Sequence, residues 1–251
     1  MIDLKGKVAI VTGGSRGIGR AICIKMAEAG ANVVVGYHHD TRAAQEVVAA
    51  VKGHGREAVA IGCDLSKETN GETLFAVATS SFKVANIVVA NAGIWERAPI
   101  DEMTLNQWRQ MMAVNLDSVF NTCRQAAKHM KECGGGKIII ISSTAGQRGE
   151  ANYSHYAASK GALIAFARSL AQELGPYGIN VNCVAPGWVR TDMTASVLAD
   201  AAFKQEVEAS IPLRRIAEPD DIAGPVLFLA SDLANHVQGQ VLSVNGGSVL
   251  Q

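Results

Sequence analysis

The chain has 251 residues, 18% of them charged, and its 23 basic and 23 acidic side chains cancel. That balance gives no electrostatic case for nucleic acid or an anionic membrane, and apolar runs such as Ile138–Ile141 are too short to span a bilayer. Five scattered cysteines and six histidines fit neither a disulfide framework nor a metal site, and the N-terminus lacks a signal-peptide pattern, so a cytoplasmic protein without metal is expected.

Short apolar runs alternate with helical patterns along the chain. The first half predicts strands at Val8–Thr12, Asn32–Gly36, Glu57–Cys63 and Ile87–Asn91, separated by helices at Gly17–Ala29, Thr41–His54 and Gly71–Ser81. The second half predicts helices at Thr104–Cys133, Ser154–Leu174 and Asp220–Ala230, with strands at Lys137–Ser142, Ile179–Pro186 and Val241–Val244. Most strands are β-branched on both faces, as strands buried between helix layers are. The alternation predicts one α/β domain over residues 1–251, a doubly wound Rossmann-like fold with a parallel seven-stranded sheet and helices on both faces. Thr191–Arg215 has only a partial helical pattern, at Ala195–Ala209, and is expected to form a mobile lid with short helices.

Thr12-Gly13-Gly14-Ser15-Arg16-Gly17-Ile18-Gly19 follows the first strand and opens the first helix. Glycines there let backbone approach a pyrophosphate, and a helix N-terminus offers free N–H groups and a positive dipole end. The spacing is a variant of the usual dinucleotide fingerprint. NAD binders place a carboxylate at the end of the second strand to grip the ribose hydroxyl. Here that strand ends Val35-Gly36-Tyr37-His38-His39, with no carboxylate before Asp40. Arg16 and His38 would instead face a 2′-phosphate, predicting NADP(H) over NAD(H).

Tyr156 and Lys160 are four apart on a predicted helix, so a phenol and an ammonium share one face. A neighbouring cation favours the phenolate and brings an otherwise weak acid towards a catalytic range. Such a pair is also common as a surface contact, and its meaning depends on the rest of the chain.

Together these motifs resemble the classical short-chain dehydrogenase/reductase family. The resemblance runs from Lys5 to Gly247 and includes the Thr12–Gly19 loop, Asp64-Leu65, Asn91-Ala92-Gly93, Asn115, Ser142-Ser143, Tyr156-x-x-x-Lys160 and Pro186-Gly187. It implies a catalytic set of Asn115, Ser143, Tyr156 and Lys160. Ser143 would bond the substrate oxygen and Tyr156 would exchange a proton with it. Lys160 would lower the phenol pKa and hold the ribose, and Asn115 would bind a water that links Lys160 to solvent. The cofactor would meet Gly13, Ser15, Arg16, Gly17, Ile18, Gly19 and His38. It would also meet Asp64 and Leu65 at the adenine, Asn91 at the ribose, and Val189 and Thr191 near the carboxamide.

Within the family the chain is most similar to 3-oxoacyl-acyl-carrier-protein reductases, through Ser15–Gly19, Asn180-Val181-Asn182 and Val244–Gly247. It departs from them at Tyr177, where those enzymes often carry an Arg for the acidic carrier, leaving Lys131 or Lys137 as the remaining basic candidates. A sugar or polyol dehydrogenase is the rival within the same chemistry, and a non-catalytic nucleotide-sensing protein the rival outside it. Trp95, Glu96, Arg97, Gln147, Arg148, Asn152, Tyr153 and Trp188 are expected around the substrate, with Glu150 and Asn152 making a partly polar mouth. Apolar residues on several faces of the two long helices (Met111, Val114, Phe120; Ala162, Phe166, Leu170) predict further partners. With the family's pairing of these helices and of the C-terminal strand, they imply a homotetramer.

Overall fold

The structure, a computed structural model, describes residues 2–250. Seven parallel strands form one sheet in the order β3-β2-β1-β4-β5-β6-β7. β1 (Val8–Val11) pairs on one side with β2 (Asn32–Tyr37), which carries β3 (Ala58–Gly62). On its other side β1 pairs with β4 (Ile87–Ala90), followed by β5 (Gly136–Ile141), β6 (Ile179–Pro186) and β7 (Val241–Val244). Strand order therefore reverses between β1 and β4, and a crevice opens there at the carboxyl ends, where ligands bind in doubly wound sheets.

The continuous β-branched strands serve two cores, one on each face of the sheet. In β5, Ile139 and Ile141 join the layer beneath α1 (Gly17–Glu28), α2 (Thr41–Gly53) and α10 (Pro219–Ala230). Ile138 and Ile140 join the layer beneath α3 (Glu68–Phe82), α5 (Ser118–Glu132) and α7 (Ser154–Leu174). Period-two alternation splits one apolar run between two faces. Burying each such side chain contributes about 1.5–3 kcal/mol, so both faces demand a helical cover.

Three features depart from the sequence pattern. The helix expected over Thr104–Cys133 divides into α4 (Leu105–Met112), a π-helical segment (Ala113–Asp117) and α5. Apolar periodicity cannot detect one extra residue in a turn, and such segments are frequent at functional sites. A short α6 (Thr144–Arg148) follows β5, started by Ser143, whose Oγ accepts from the Ala145 N–H at 3.1 Å. The expected partial helix at Ala195–Ala209 is two helices, α8 (Asp192–Leu198) and α9 (Ala201–Ser210). Asp200 makes the break by capping α9, accepting from the Ala202 and Phe203 N–H groups. With residues 211–216 this segment has a small core of its own, Val207, Ile211 and Ile216 beneath Trp188, Leu198 and Phe203. Among the described residues no helix is long and apolar enough to cross a membrane.

Candidate active site

A cavity of about 540 Å³ occupies the crevice. Along one side run Gly13, Ser15, Arg16, Gly17, Ile18 and Gly19, then His38, Asp64, Leu65 and Asn91. Ser143, Tyr156, Lys160, Val189 and Thr191 lie along the rest of it. All fourteen sequence-predicted cofactor contacts line it; nine follow the ends of strands, Gly17, Ile18 and Gly19 open α1, and Tyr156 and Lys160 reach in from α7, which is how an open sheet gathers them.

The glycine loop is held by two side chains, Thr12 at its own start and Asn91 on the neighbouring strand end. Thr12 Oγ1 accepts from the backbone N–H groups of Asn91 (2.9 Å) and Ala92 (3.0 Å). Asn91 Nδ2 returns bonds to the carbonyls of Thr12 (3.0 Å) and Gly13 (3.2 Å). Gly13 has φ +61°, a left-handed conformation that other residues avoid. A Cβ on Gly19 would stand 2.1 Å from the Gly13 carbonyl oxygen, so the loop closes on the helix only with glycine there. Arg16 precedes α1 without a side-chain cap, and the first-turn N–H groups have no helical acceptor. These features form an anion cradle that a dinucleotide pyrophosphate fits.

At the adenosine end Asp64 is held below the usual carboxylate range, first by the Ser66 hydroxyl and also by nearby His38. Tyr37, His39, Asp40, Cys63 and Ser66 also line this end and were not singled out in the sequence. Their placement just beyond β2 and β3 is the signal that marks them.

Ser143, Tyr156, Lys160 and Asn115 converge at the floor. Ser143 and Tyr156 share a side-chain hydrogen bond. Lys160 Nζ donates to the Ile141 carbonyl at 2.9 Å and lies 5.9 Å from the centre of the Tyr156 ring. Ser142 takes the structural part: its Oγ donates to the Lys160 carbonyl at 2.7 Å, tying α7 to the end of β5. Asn115, fully buried in the π-helical segment, accepts from the Ile94 N–H (2.8 Å) and donates to the Ile94 carbonyl (3.0 Å). The Asn115 side-chain amide is thus paired with Ile94, which fixes the loop after β4. Ser159, absent from the sequence reading, adds an Oγ 3.2 Å from Asn115 Nδ2.

The expected lowering of the phenol pKa by Lys160 does not appear. Burial pushes Tyr156 up to about 12, the Ser143 hydrogen bond works against this, and the charge of Glu150 adds to it. Burial also brings Lys160 down to about 8. With that value Lys160 still carries its charge at neutral pH, and burial of the phenol outweighs it.

On the substrate side Trp95, Arg148, Glu150 and Trp188 line the cavity. Glu96, Arg97 and Asn152 are exposed outside its lining, and Gln147 turns away to donate to Ser243 Oγ at 2.8 Å. Tyr153 lies behind Trp95, the rings stacked at 4.5 Å.

Known proteins resemble this chain over nearly its whole length. A family model described as enoyl-(acyl carrier protein) reductase matches residues 13–248. An L-rhamnose 1-dehydrogenase (NAD(P)(+)) from Azotobacter vinelandii is 40% identical over 245 residues, 96% of each chain. The chain belongs to the short-chain dehydrogenase/reductase family. This is an oxidoreductase family that uses nicotinamide cofactors. A 3-oxoacyl-[acyl-carrier-protein] reductase from Synechocystis is 36% identical over 251 residues, the whole of both chains. A crystal structure described provisionally as an NAD(P) dependent gluconate 5-dehydrogenase from Beutenbergia cavernae, with NADP at low occupancy, superposes with a TM-score of 0.92. It is 39% identical and covers 98% of each chain.

Proposed function

We propose that this short-chain dehydrogenase/reductase is an NADP(H)-preferring carbonyl reductase and alcohol dehydrogenase, in which Tyr156 exchanges the proton of the substrate oxygen. The hydrogen-bonded Ser143–Tyr156 pair beside Lys160 at the cavity floor carries the reading. Gly13 to Gly19 would hold the pyrophosphate, Asp64 and Leu65 the adenine, and Val189 and Thr191 the carboxamide end. The cofactor, when bound, supplies or accepts the hydride. Ser143 fixes the substrate oxygen, and Tyr156 donates its proton to that oxygen in reduction or accepts one in oxidation. A phenol kept protonated by burial suits the donor role. Lys160, with one N–H on Ile141, keeps further donors for the ribose and for returning a proton to Tyr156.

Tyr156→Phe keeps the ring and removes the proton. Its kcat should fall by roughly 10²–10⁴-fold while NADPH binding, followed by fluorescence, is kept; near wild-type reduction would sink the mechanism.

The NADP(H) preference rests on exposed Arg16 and on His38, both at the adenosine end without a carboxylate in β2. Arg16→Ala should lower the NADPH over NADH preference by roughly 10–100-fold, the worth of a charged hydrogen bond. Equal weakening of both cofactors would contradict it.

Two substrate classes compete. Full-length likeness to a 3-oxoacyl-acyl-carrier-protein reductase supports the thioester. The surface speaks against a carrier. Lys137 is buried and donates to Asn180 Oδ1 (2.8 Å) and Asn235 Oδ1 (2.7 Å), so it is not free for an acidic partner. Lys131 lies over the Tyr177 ring at 4.2 Å, where the carrier-binding Arg is absent. A small sugar or polyol, the rival within the same chemistry, is favoured by this loss. The intact floor of the site speaks against a purely nucleotide-sensing protein.

We also propose assembly as a homotetramer, with α5 and α7 in one interface and β7 in the other. Phe120, 46% exposed, and Phe166 bring their rings within 6.5 Å on the outer face, and β7 is half-buried throughout. Met111 leaves this set, because it is buried against Asn115 within the subunit.

A further inference from the structure

Four carboxylates line the crevice: Asp40, Asp64, Glu150 and Asp192. Only Glu150 acts electrostatically on Tyr156, which places it at the substrate end rather than the adenosine end. Its side chain is half-buried and near enough to the Trp95 indole N–H, which can only donate, for its pKa to be held down by it. Tyr153 covers one face of that indole, with the two planes 1° apart, and Trp188 meets it edge-on at 5.8 Å. Glu150 is therefore a positioned acceptor on a rigid aromatic wall. A carboxylate accepts about four hydrogen bonds, which leaves room for the hydroxyls of a ligand.

The surroundings limit what can answer it. Arg148 is the cation that bears on Glu150, and it is exposed at the rim; Tyr153 and Tyr156 are the other titratable groups in its field. An acyl chain laid against Glu150 would strip water from the carboxylate and return no hydrogen bond. A sugar acid would bring a second negative charge into a half-buried space. A neutral polyol supplies hydroxyl donors for the carboxylate and C–H faces for the indoles.

We infer that Glu150, lining the cavity beside the stacked Trp95, is a specificity-determining acceptor that selects a neutral, hydroxyl-rich carbonyl or alcohol substrate over acyl thioesters and sugar acids. The inference rests on the carbonyl reductase reading and names its substrate class. Burial holds the Glu150 carboxyl above its ordinary range, so the preference weakens as pH falls.

The test compares wild type, Glu150→Gln and Trp95→Phe in both directions. The substrates are neutral sugars and polyols (glucose, rhamnose, xylose, sorbitol), gluconate, acetoacetyl-CoA and butanedione, which has no hydroxyl. Wild type should favour a neutral sugar or polyol over gluconate and acetoacetyl-CoA. Glu150→Gln should cut kcat/KM for it by roughly 10–100-fold, mostly through KM, as loss of a charged hydrogen bond does. Trp95→Phe, which keeps the ring and drops the N–H, should act in the same direction more weakly. Both variants should bind NADPH as wild type does, and their loss on butanedione should be much smaller than their loss on the sugar or polyol. Preference for acetoacetyl-CoA or gluconate, no turnover of any neutral sugar or polyol while butanedione is reduced, or an equal loss on butanedione and sugar in Glu150→Gln would overturn the role of Glu150. Wild type that binds NADPH yet turns over nothing, butanedione included, would sink the carbonyl reductase reading itself.

Discussion

The glycine loop and the wall at residues 188–216 face each other across one crevice and are held by different means. The loop's backbone is locked into the main core by bonds from two side chains: Thr12 Oγ1 takes two N–H groups from the strand-end beside it, and Asn91 returns two bonds to loop carbonyls. The wall has a core of its own, with three buried residues under Trp188, Leu198 and Phe203. Backbone-locked geometry admits few changes and suits a constant ligand such as a dinucleotide. A wall of side chains on a small separate core can be remodelled without disturbing the sheet, which suits a variable substrate.

That contrast can be broken at either side. Gly19→Ala places a Cβ 2.1 Å from the Gly13 oxygen and 2.7 Å from Asn91 Nδ2, so the loop must shift. NADPH affinity should fall by roughly 10–100-fold, the cost of overpacking a tight site, as read by fluorescence titration. Unchanged affinity would show that the loop is softer than its bonding implies. Trp188→Ala removes edge contacts with Trp95 and Phe203. At about 0.5–1.5 kcal/mol per aromatic pair, KM for the substrate should rise several-fold with NADPH affinity unchanged. A matching loss of cofactor affinity would mean that the two sides are one unit.

The smallest expected effect concerns the floor they share. Burial sets Lys160 at about 8, against 10.5 for a free lysine. Between those values the unfolded chain binds a proton that the folded one lacks, so this residue makes stability rise with pH across that window. Below pH 8 its full penalty is present. Urea midpoints of cofactor-free wild type, compared with Lys160→Met from neutral pH upward, should shift in favour of wild type as pH rises. A constant difference would place Lys160 in water.

The seven strands were legible because most are β-branched runs closed by a turn, and the parallel, doubly wound sheet followed from their alternation with helices. The glycine loop, Tyr156 and Lys160 were legible for a related reason: they sit at strand ends or at helical spacing, where position and chemistry coincide. The π-helical segment around Asn115 was hidden, since one added residue barely alters apolar periodicity. The burial that raises Tyr156 and lowers Lys160 was hidden too. Spacing shows that two side chains share a face, whereas their pKa values depend on how deeply the fold buries them. Glu150 read as part of a polar mouth, and only the stacked Trp95 and Tyr153 reveal it as a fixed acceptor.

The central claim is that Tyr156 exchanges the substrate proton in an NADPH-dependent carbonyl reduction. Its most direct test is the rate of NADPH oxidation with butanedione by wild type and Tyr156→Phe, each saturated with cofactor. Turnover by wild type and a loss of roughly 10²–10⁴-fold in the variant, with NADPH still bound, is the predicted result. Equal rates in the two proteins would contradict it.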